Sequence, residues 1–362
     1  MGSDAGAPPS PPDPPARRAP RGQHAGASDG GGDRWAAVLP ALRVLGFIGV
    51  IVVFAAAVAA VVRSGPPSRA DLLREAGLSG KSELLIGVKS DQPGISLRDP
   101  ATGRFAGFDI DIAHLVAADL GFRPDEVRLL TIESEDRARM RARSPEGRYE
   151  TVDLVIASYS ITPEREALSE VSFAGPYLIT EQSVITRAGH PPVAEPQDLA
   201  GERICSLATS TSADAFDRAG VRVRRHLNIS MCVDDLLAGD TDAVTTDAAI
   251  LAGFVHQHPD DLVHHDIGLA ASERYGINTG GDEALRTLVD LALTQSRENP
   301  RDRRWEQAYE THLAPAQASS PQQDIAEDAQ PAIDKDVEVR IWPWERDALL
   351  APVAPADTVR GG

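Results

Sequence analysis

Basic charge is what this sequence most lacks. Its 36 lysines and arginines stand against 54 aspartates and glutamates, a net charge of −18 with a pI of about 4.9. A protein that grips a phosphate backbone needs a basic face, so nucleic acid is excluded as a partner. An acidic ligand is not excluded, because affinity is set inside a pocket whereas net charge acts on solubility and encounter rate. Cysteine is nearly absent too, with Cys205 and Cys232 the whole supply. In an oxidising compartment such a pair readily forms one disulfide, which would stabilise by roughly 3 to 4 kcal/mol; the other reading is two separate buried thiols. Catalytic signatures are missing as well. There is no Gly-x-Ser-x-Gly, phosphate loop or Rossmann fingerprint. The nine histidines, among them His256, His258, His264 and His265, show no His-Glu-x-x-His spacing. No metal and no cofactor is therefore expected, and those four histidines read as solvent-facing.

One long apolar run is present. Val44 to Val62 are nineteen consecutive uncharged, mostly apolar residues bracketed by Arg43 and Arg63. That length matches a helix crossing a bilayer. A cleaved signal peptide normally has a shorter apolar core and a shorter charged lead, so an uncleaved anchor is expected. No cysteine follows the run to carry a lipid, and Arg17-Arg18 lacks twin-arginine context. Arg17, Arg18, Arg21, Arg34 and Arg43 precede the run, which places the N-terminus in the cytoplasm and the body outside the cell. Residues 1–40, rich in Pro, Gly, Ala and Arg, read as a disordered tail, 41–64 as the membrane helix and 65–82 as a spacer with a small helix over Ser68 to Gly77.

The body alternates strand and helix. Strands are predicted over Leu84 to Val88, Val127 to Ile132 and Asp153 to Ala157, with a helix over Asp109 to Asp119. The pattern restarts after about Gln182, with strands over Arg203 to Ser206 and Ala243 to Thr246 and helices over Ala213 to Ala219, Val233 to Ala238 and Ala248 to His256. From Ala314 the chain reads as unstructured except Val339 to Glu345, whose Trp342 and Trp344 could dock on the body or on a partner.

The stretch Asp153 to Arg165 carries the first functional signal. A buried strand runs into Thr162 as N-cap and Pro163 as first helical residue, and Arg165 then sits in the first turn against the helix dipole. Beside the hydroxyls of Ser158 and Ser160, such an arginine suits bidentate capture of a carboxylate; the plain alternative is a surface arginine. Thr209-Ser210-Thr211-Ser212 precedes a helix whose free N–H groups attract anions, although Ser212 could simply cap it. Asp247 ends a strand and opens a helix, which suits an ammonium or, again, a cap.

Six ordered blocks carry a family likeness: Ile86-Gly-Val-Lys-Ser-Asp-Gln-Pro-Gly94, Gly107-Phe-Asp-Ile-Asp-Ile112, Ser160-Ile-Thr-Pro-Glu-Arg165, Phe173-Ala-Gly-Pro-Tyr177, Asp242-Ala-Val-Thr-Thr-Asp247 and Tyr275-Gly-Ile277. From Ile86 to about Leu313 the chain resembles the type II periplasmic amino-acid-binding proteins of ABC importers, most of all their glutamate-binding branch in Gram-positive bacteria. The resemblance implies a two-lobed α/β fold with two hinge crossovers, near Thr180 to Ser183 and Ala271 to Arg274. Lobe one would be 83–182 plus 273–314, lobe two 183–272, and 315–362 a flexible acidic tail. It also implies pairing of Cys205 with Cys232.

The likeness further implies a ligand set. Arg165, with Ser210 and Thr211, would take the α-carboxylate. Asp247 and Thr246, with the Ser158 carbonyl and the Ser160 hydroxyl, would take the ammonium. Lys89, Gln92, Arg98 and Arg137 are the candidates for a distal carboxylate, and Arg137 stands where the glutamate branch tends to carry an arginine. Two positions depart from that branch: Glu133-Ser-Glu-Asp136 is more acidic, and Ala248 replaces a second acid. The expected function is a membrane-tethered extracellular receptor for glutamate or aspartate, not an enzyme. Its partners would be ABC-importer membrane subunits or a membrane signalling protein. An enzyme on the same fold, such as a cyclohexadienyl dehydratase or a murein lytic transglycosylase, is the rival, along with a domain kept only for protein contacts. The transglycosylase needs a lysozyme-like domain for which the residues after Ala314 are too few, and Glu133 and Glu135, the acids a dehydratase would need, read as solvated loop charges.

Overall fold

The computed structural model describes residues 32–267, 272–321, 325–326, 331, 333 and 337–342. It divides into two units, Met1–Gly65 and Pro66–Gly362. The first contains one helix, α1 (Gly32–Ser64), whose segment Pro40–Ala60 is long and apolar enough to cross a membrane. The helix begins at Gly32, so residues 32–40 belong to it and not to a disordered tail. The rest of that predicted tail lies outside the described residues.

The second unit opens with α2 (Arg69–Glu75), started by a reciprocal capping box between Ser68 and Asp71 and held down by buried Leu72. β1 (Leu84–Val88), the short strands β2 (Asp91–Gln92), β3 (Ser96–Arg98) and β4 (Phe105–Ala106), and α3 (Phe108–Leu120) follow. Then come β5 (Val127–Thr131), the hairpin β6 (Arg141–Arg143) and β7 (Tyr149–Thr151), β8 (Leu154–Val155) and the single-turn α4 (Pro163–Glu166). β1 pairs in parallel with β5 and β8. The strand expected over 153–157 pairs at only two residues because the backbone turns away at Ser158, which takes φ +47°.

The fifteen-residue strand β9 (Phe173–Arg187) joins two half-sheets. Beyond it lie β10 (Ile204–Leu207), α5 (Thr211–Arg218), β11 (Val223–His226), α6 (Ile229–Ala238), β12 (Ala243–Asp247), α7 (Ala248–Gln257) and β13 (Leu262–His265). β10 pairs in parallel with β11 and β12, and β12 runs antiparallel to the second part of β9, from Gln182 to Thr186. β14 (Ser272–Asn278) then pairs antiparallel with the first part of β9, from Glu181 back to Phe173, and its last residue reaches β8. The result is one eleven-stranded sheet, ordered β11-β10-β12-β9-β14-β8-β1-β5-β6-β7 with β13 on β9. The two crossings run through residues 180–182 and 272–274, where the family likeness placed hinges; Ala271 lies outside the described residues.

α8 (Glu283–Glu298), α9 (Arg304–His312) and α10 (Ala314–Ser319) finish the described helices. Trp305 of α9 is buried against Phe108 and donates from its indole to the Tyr177 carbonyl at 2.9 Å. Cys205 and Cys232 are disulfide-bonded, tying β10 to α6.

Three expectations change. The described residues after Ala314 are not all unstructured: α10 forms, Ile325 is fully buried, and the Arg340 N–H donates to the Pro67 carbonyl at 2.9 Å beside Ser68. Apolar Ala316 and Ile325 find core to cover, which composition alone hid. The tail thus docks on the body at Arg340, while Trp344 lies outside the described residues. Nor do all four histidines face solvent: His265 is buried and bonds Thr186 Oγ1 at 2.7 Å, and half-buried His264 bonds the Ser320 hydroxyl, whereas His256 is exposed as expected while bonding the Ser319 hydroxyl. Finally, α5 starts at Thr211, so Ser210 holds the N-cap position rather than Ser212.

Candidate functional site

A cleft lies between the two half-sheets and is lined by both. Gln92, Arg137, Ser158, Ser160 and Arg165 reach it from the first half; Leu207, Ser210, Thr211, Thr246, Asp247 and Ile250 reach it from the second. Nine of the eleven residues expected to bind ligand therefore converge, Lys89 and Arg98 being the exceptions. Lys89 does not line the cleft. Its buried ammonium lies 3.3 Å from Ser134 Oγ and 3.7 Å from Asp91 Oδ1, and burial lowers its pKa. Arg98 is also elsewhere, exposed on β3 and donating to the Gly103 carbonyl.

Asp247 decides the chemistry. It holds the N-cap position of α7 yet makes no capping bond. Oδ2 accepts from the Tyr275 hydroxyl at 2.6 Å, while Oδ1 is buried without a hydrogen-bond partner. Burial first, and then the neighbouring Glu273 carboxylate, push its pKa up to about 8. A buried acceptor left open is costly, so this oxygen is arranged for a donor that comes from outside the chain. Glu273 of β14 is the second acid near it, but it does not line the cleft and accepts from Gln182 Nε2 at 2.6 Å.

Two guanidiniums line the same cleft. Arg137 is buried, and its donors go to the carbonyls of Ser134, Ala157 and Ser158 at 2.8–3.1 Å. Arg165 donates to Ser160 O of the first half and Thr209 O of the second, at 2.7 and 2.9 Å. Both stack on Tyr159, at 4.6 and 4.8 Å from its ring centre. Burial, and then Arg165, lower the Arg137 pKa to about 10, so it remains a cation at neutral pH. Neither arginine has a carboxylate within salt-bridge distance among the described residues. Thr162 caps α4 as expected, but one turn has little dipole to oppose; the Arg165 side chain leaves the helix for Ser160 and Thr209.

Several residues that hold the site were not singled out in the sequence. Asp109 is wholly buried and accepts from Tyr177 Oη at 2.9 Å and from Ser158 N at 3.0 Å, which pins Ser158 in its left-handed conformation. Burial raises its pKa to about 7 against those bonds. Ser158 Oγ in turn donates to Gln92 Oε1 at 2.6 Å. Tyr275, Leu207 and Ile250 were missed as well; Tyr275 lies within a family block, whereas the other two read only as core. Among the described residues one group could suit a metal, Cys205, His226 and Asp235, and its sulfur is committed to the disulfide.

Residues 84–313 match the bacterial extracellular solute-binding proteins, family 3. The chain belongs to that family. The solute-binding protein is 32% identical over 222 residues to the glutamate-binding protein GluB of Corynebacterium efficiens, a match covering 58% of this chain and 72% of that protein. It also resembles a solved ancestral arginine-binding protein bound to glutamine, with 27% identity and a TM-score of 0.56 over 64% of this chain and 98% of the other. The match to the membrane-bound lytic murein transglycosylase F of Ectopseudomonas mendocina is 27% identical and spans 57% of this chain but only 42% of that protein. The fold is accordingly the type II periplasmic binding protein fold, and the solute-binding protein binds an amino acid.

The two halves meet closely across the cleft. A methyl placed on Gly253 of α7 would come within 1.9 Å of the Pro93 carbonyl oxygen. Asp91 Oδ2 also accepts from Ser230 N at 3.3 Å. Gly253→Ala is therefore expected to hold the cleft apart. Isothermal titration should show amino-acid affinity down at least tenfold, with the ligand-free melting temperature changed by a few degrees at most, since alanine itself favours the helix by about 1 kcal/mol.

Proposed function

We propose that this protein is a membrane-anchored extracellular receptor for an acidic amino acid, glutamate first and aspartate second. The observation that carries this reading is the charge plan of the cleft. One open carboxylate oxygen on Asp247 answers the ligand's ammonium, and two cations without carboxylate partners among the described residues, Arg165 and Arg137, answer two ligand carboxylates. The unassisted α5 N-terminus at Ser210 and Thr211 adds donors for one of those carboxylates. The 32% identity to a glutamate-binding protein supports the same ligand.

The apolar run of α1, bracketed by Arg43 and Arg63 within the helix, anchors the receptor with its N-terminus in the cytoplasm. Closure is read by an ABC importer's membrane subunits or by a membrane signalling protein; the arginine-bearing lead before α1 supports the second. Binding is the activity, with no bond made or broken. Glu133 and Glu135 do not line the cleft, so neither supplies the acid that a dehydratase on this fold would need.

Thermal unfolding and calorimetry of the full chain in detergent, with glutamate, aspartate, glutamine and alanine, test the reading. At 100 times its dissociation constant the ligand should add about 2.7 kcal/mol of stability. Glutamate or aspartate should do this well below the concentration at which glutamine does, and be recovered unchanged. An equal response to alanine would sink the acidic-ligand assignment.

A further inference from the structure

Residues 314–321 and Ile325 lie beyond the family match, which ends at residue 313, yet they pack on the body. α10 follows α9 after one residue and packs on α7, the helix that Asp247 opens. Ser319 Oγ is 2.8 Å from His256 Nδ1 on α7, and Ser320 Oγ is 3.0 Å from His264 Nδ1 on β13. Gln317 closes the turn on itself, donating to Ser320 O at 3.1 Å and accepting from Ile325 N at 2.9 Å. Ile325 is then fully buried in the core.

The contact that reaches the site runs through Thr180, on the crossing segment of β9. Its hydroxyl donates to the Ile325 carbonyl at 2.5 Å and accepts from the Ala249 N–H at 3.2 Å. Ala249 is the second residue of α7, so Thr180 satisfies one of the open amides at that helix start. Asp247, at the N-cap, does not have to, and its carboxylate stays available. On its other side α7 approaches the first half at the Pro93–Gly94 loop, and the His312 carbonyl at the end of α9 borders the same loop at Gly94. Opening the cleft must carry α7 away from that loop and from α9.

We infer that residues 314–321, together with Ile325, are a strap that clamps α7 to α9, positions the start of α7 through Thr180, and holds the cleft closed. Only the meaning of closure for a ligand rests on the receptor reading. A distance measurement needs no ligand. In the full chain, spin labels at Glu146→Cys and Arg222→Cys, exposed on the two halves, should give one short distance population. Ser319→Ala combined with Ser320→Ala removes two hydrogen bonds while leaving every apolar core side chain in place, and should move at least a third of the molecules to a longer distance. Ile325→Ala should move more. With glutamate present, the serine double variant should release ligand about tenfold faster at an unchanged association rate. An unchanged distance distribution in the serine variant, with equal losses of melting temperature with and without glutamate, would show a merely structural appendage and overturn the strap. If the parent chain ignores glutamate, the receptor reading fails separately, and the distance distributions still decide the strap.

Discussion

Asp247→Asn should abolish amino-acid binding and at the same time raise the melting temperature of the ligand-free protein. Both effects come from one oxygen. Oδ1 of Asp247 is buried without a partner, and its carboxylate sits near Glu273. Removing the anion leaves the ligand's ammonium buried and unpaired, which costs roughly 3 to 5 kcal/mol, a fall in affinity of between about a hundredfold and several thousandfold. Asparagine keeps the shape and an acceptor for Tyr275 but adds no charge to a buried site. The pKa of about 8 fixes the pH dependence. The unfolded chain ionises this group near pH 4 and the folded, ligand-free protein only near 8, so between those values the folded state holds the extra proton. The carboxyl's penalty on stability is absent below about pH 4, grows as pH rises, and levels off above about 8; asparagine should remove it most visibly at pH 8. Binding an ammonium requires the ionised form, so binding at neutral pH releases a proton. Affinity should tighten by close to tenfold per pH unit from pH 6 to 7 and flatten beyond 8. Calorimetry in buffers of differing ionisation enthalpy reads that proton directly, and its absence would contradict the assignment of Asp247.

The sequence carried the half-sheets, the crossings and most of the cleft because those features are written in local patterns. Buried parallel strands are short apolar runs, and Thr162-Pro163 announces a helix start whatever surrounds it. The ambiguity at Asp247 between a cap and an ammonium site could not be resolved locally. What resolves it is Thr180, sixty-nine residues away from Ala249 in sequence and bonded to its amide. Lys89 was misplaced for the same kind of reason. A lysine after the first strand looks available until Ser134 and Asp91, brought in by the fold, take its ammonium. Asp109 read as a helix-start acid, whereas its work is to hold Ser158 at positive φ forty-nine residues on. The strap after Ala314 was hidden by composition, since a Pro- and Gln-rich segment shows no period even when two of its apolar residues fill core positions.

Arg137→Met should convert the receptor's preference from glutamate to glutamine. The guanidinium is 4% exposed, with donors on three backbone carbonyls and its face on Tyr159, and no carboxylate of the described chain lies within salt-bridge distance. A cation buried on neutral acceptors alone is expensive, and burial together with Arg165 already depresses its pKa to about 10. A ligand with one carboxylate can satisfy Arg165 and leave Arg137 as it was; a ligand with two supplies the missing counter-ion. The discrimination is therefore electrostatic, and it should disappear with the charge. Methionine fills much the same volume without it. Glutamate affinity should then fall at least a hundredfold, because its distal carboxylate would be buried opposite a thioether, whereas glutamine loses about one charge-assisted hydrogen bond, roughly tenfold. Arg137→Lys, which keeps the charge but not the planar fork, should lie between. Competition of the two amino acids for each variant, read by calorimetry, gives the ratio. If glutamate and glutamine weaken equally in Arg137→Met, Arg137 only holds the loop at Ser134 and Ser158, and the acidic preference must be sought at Arg165 alone.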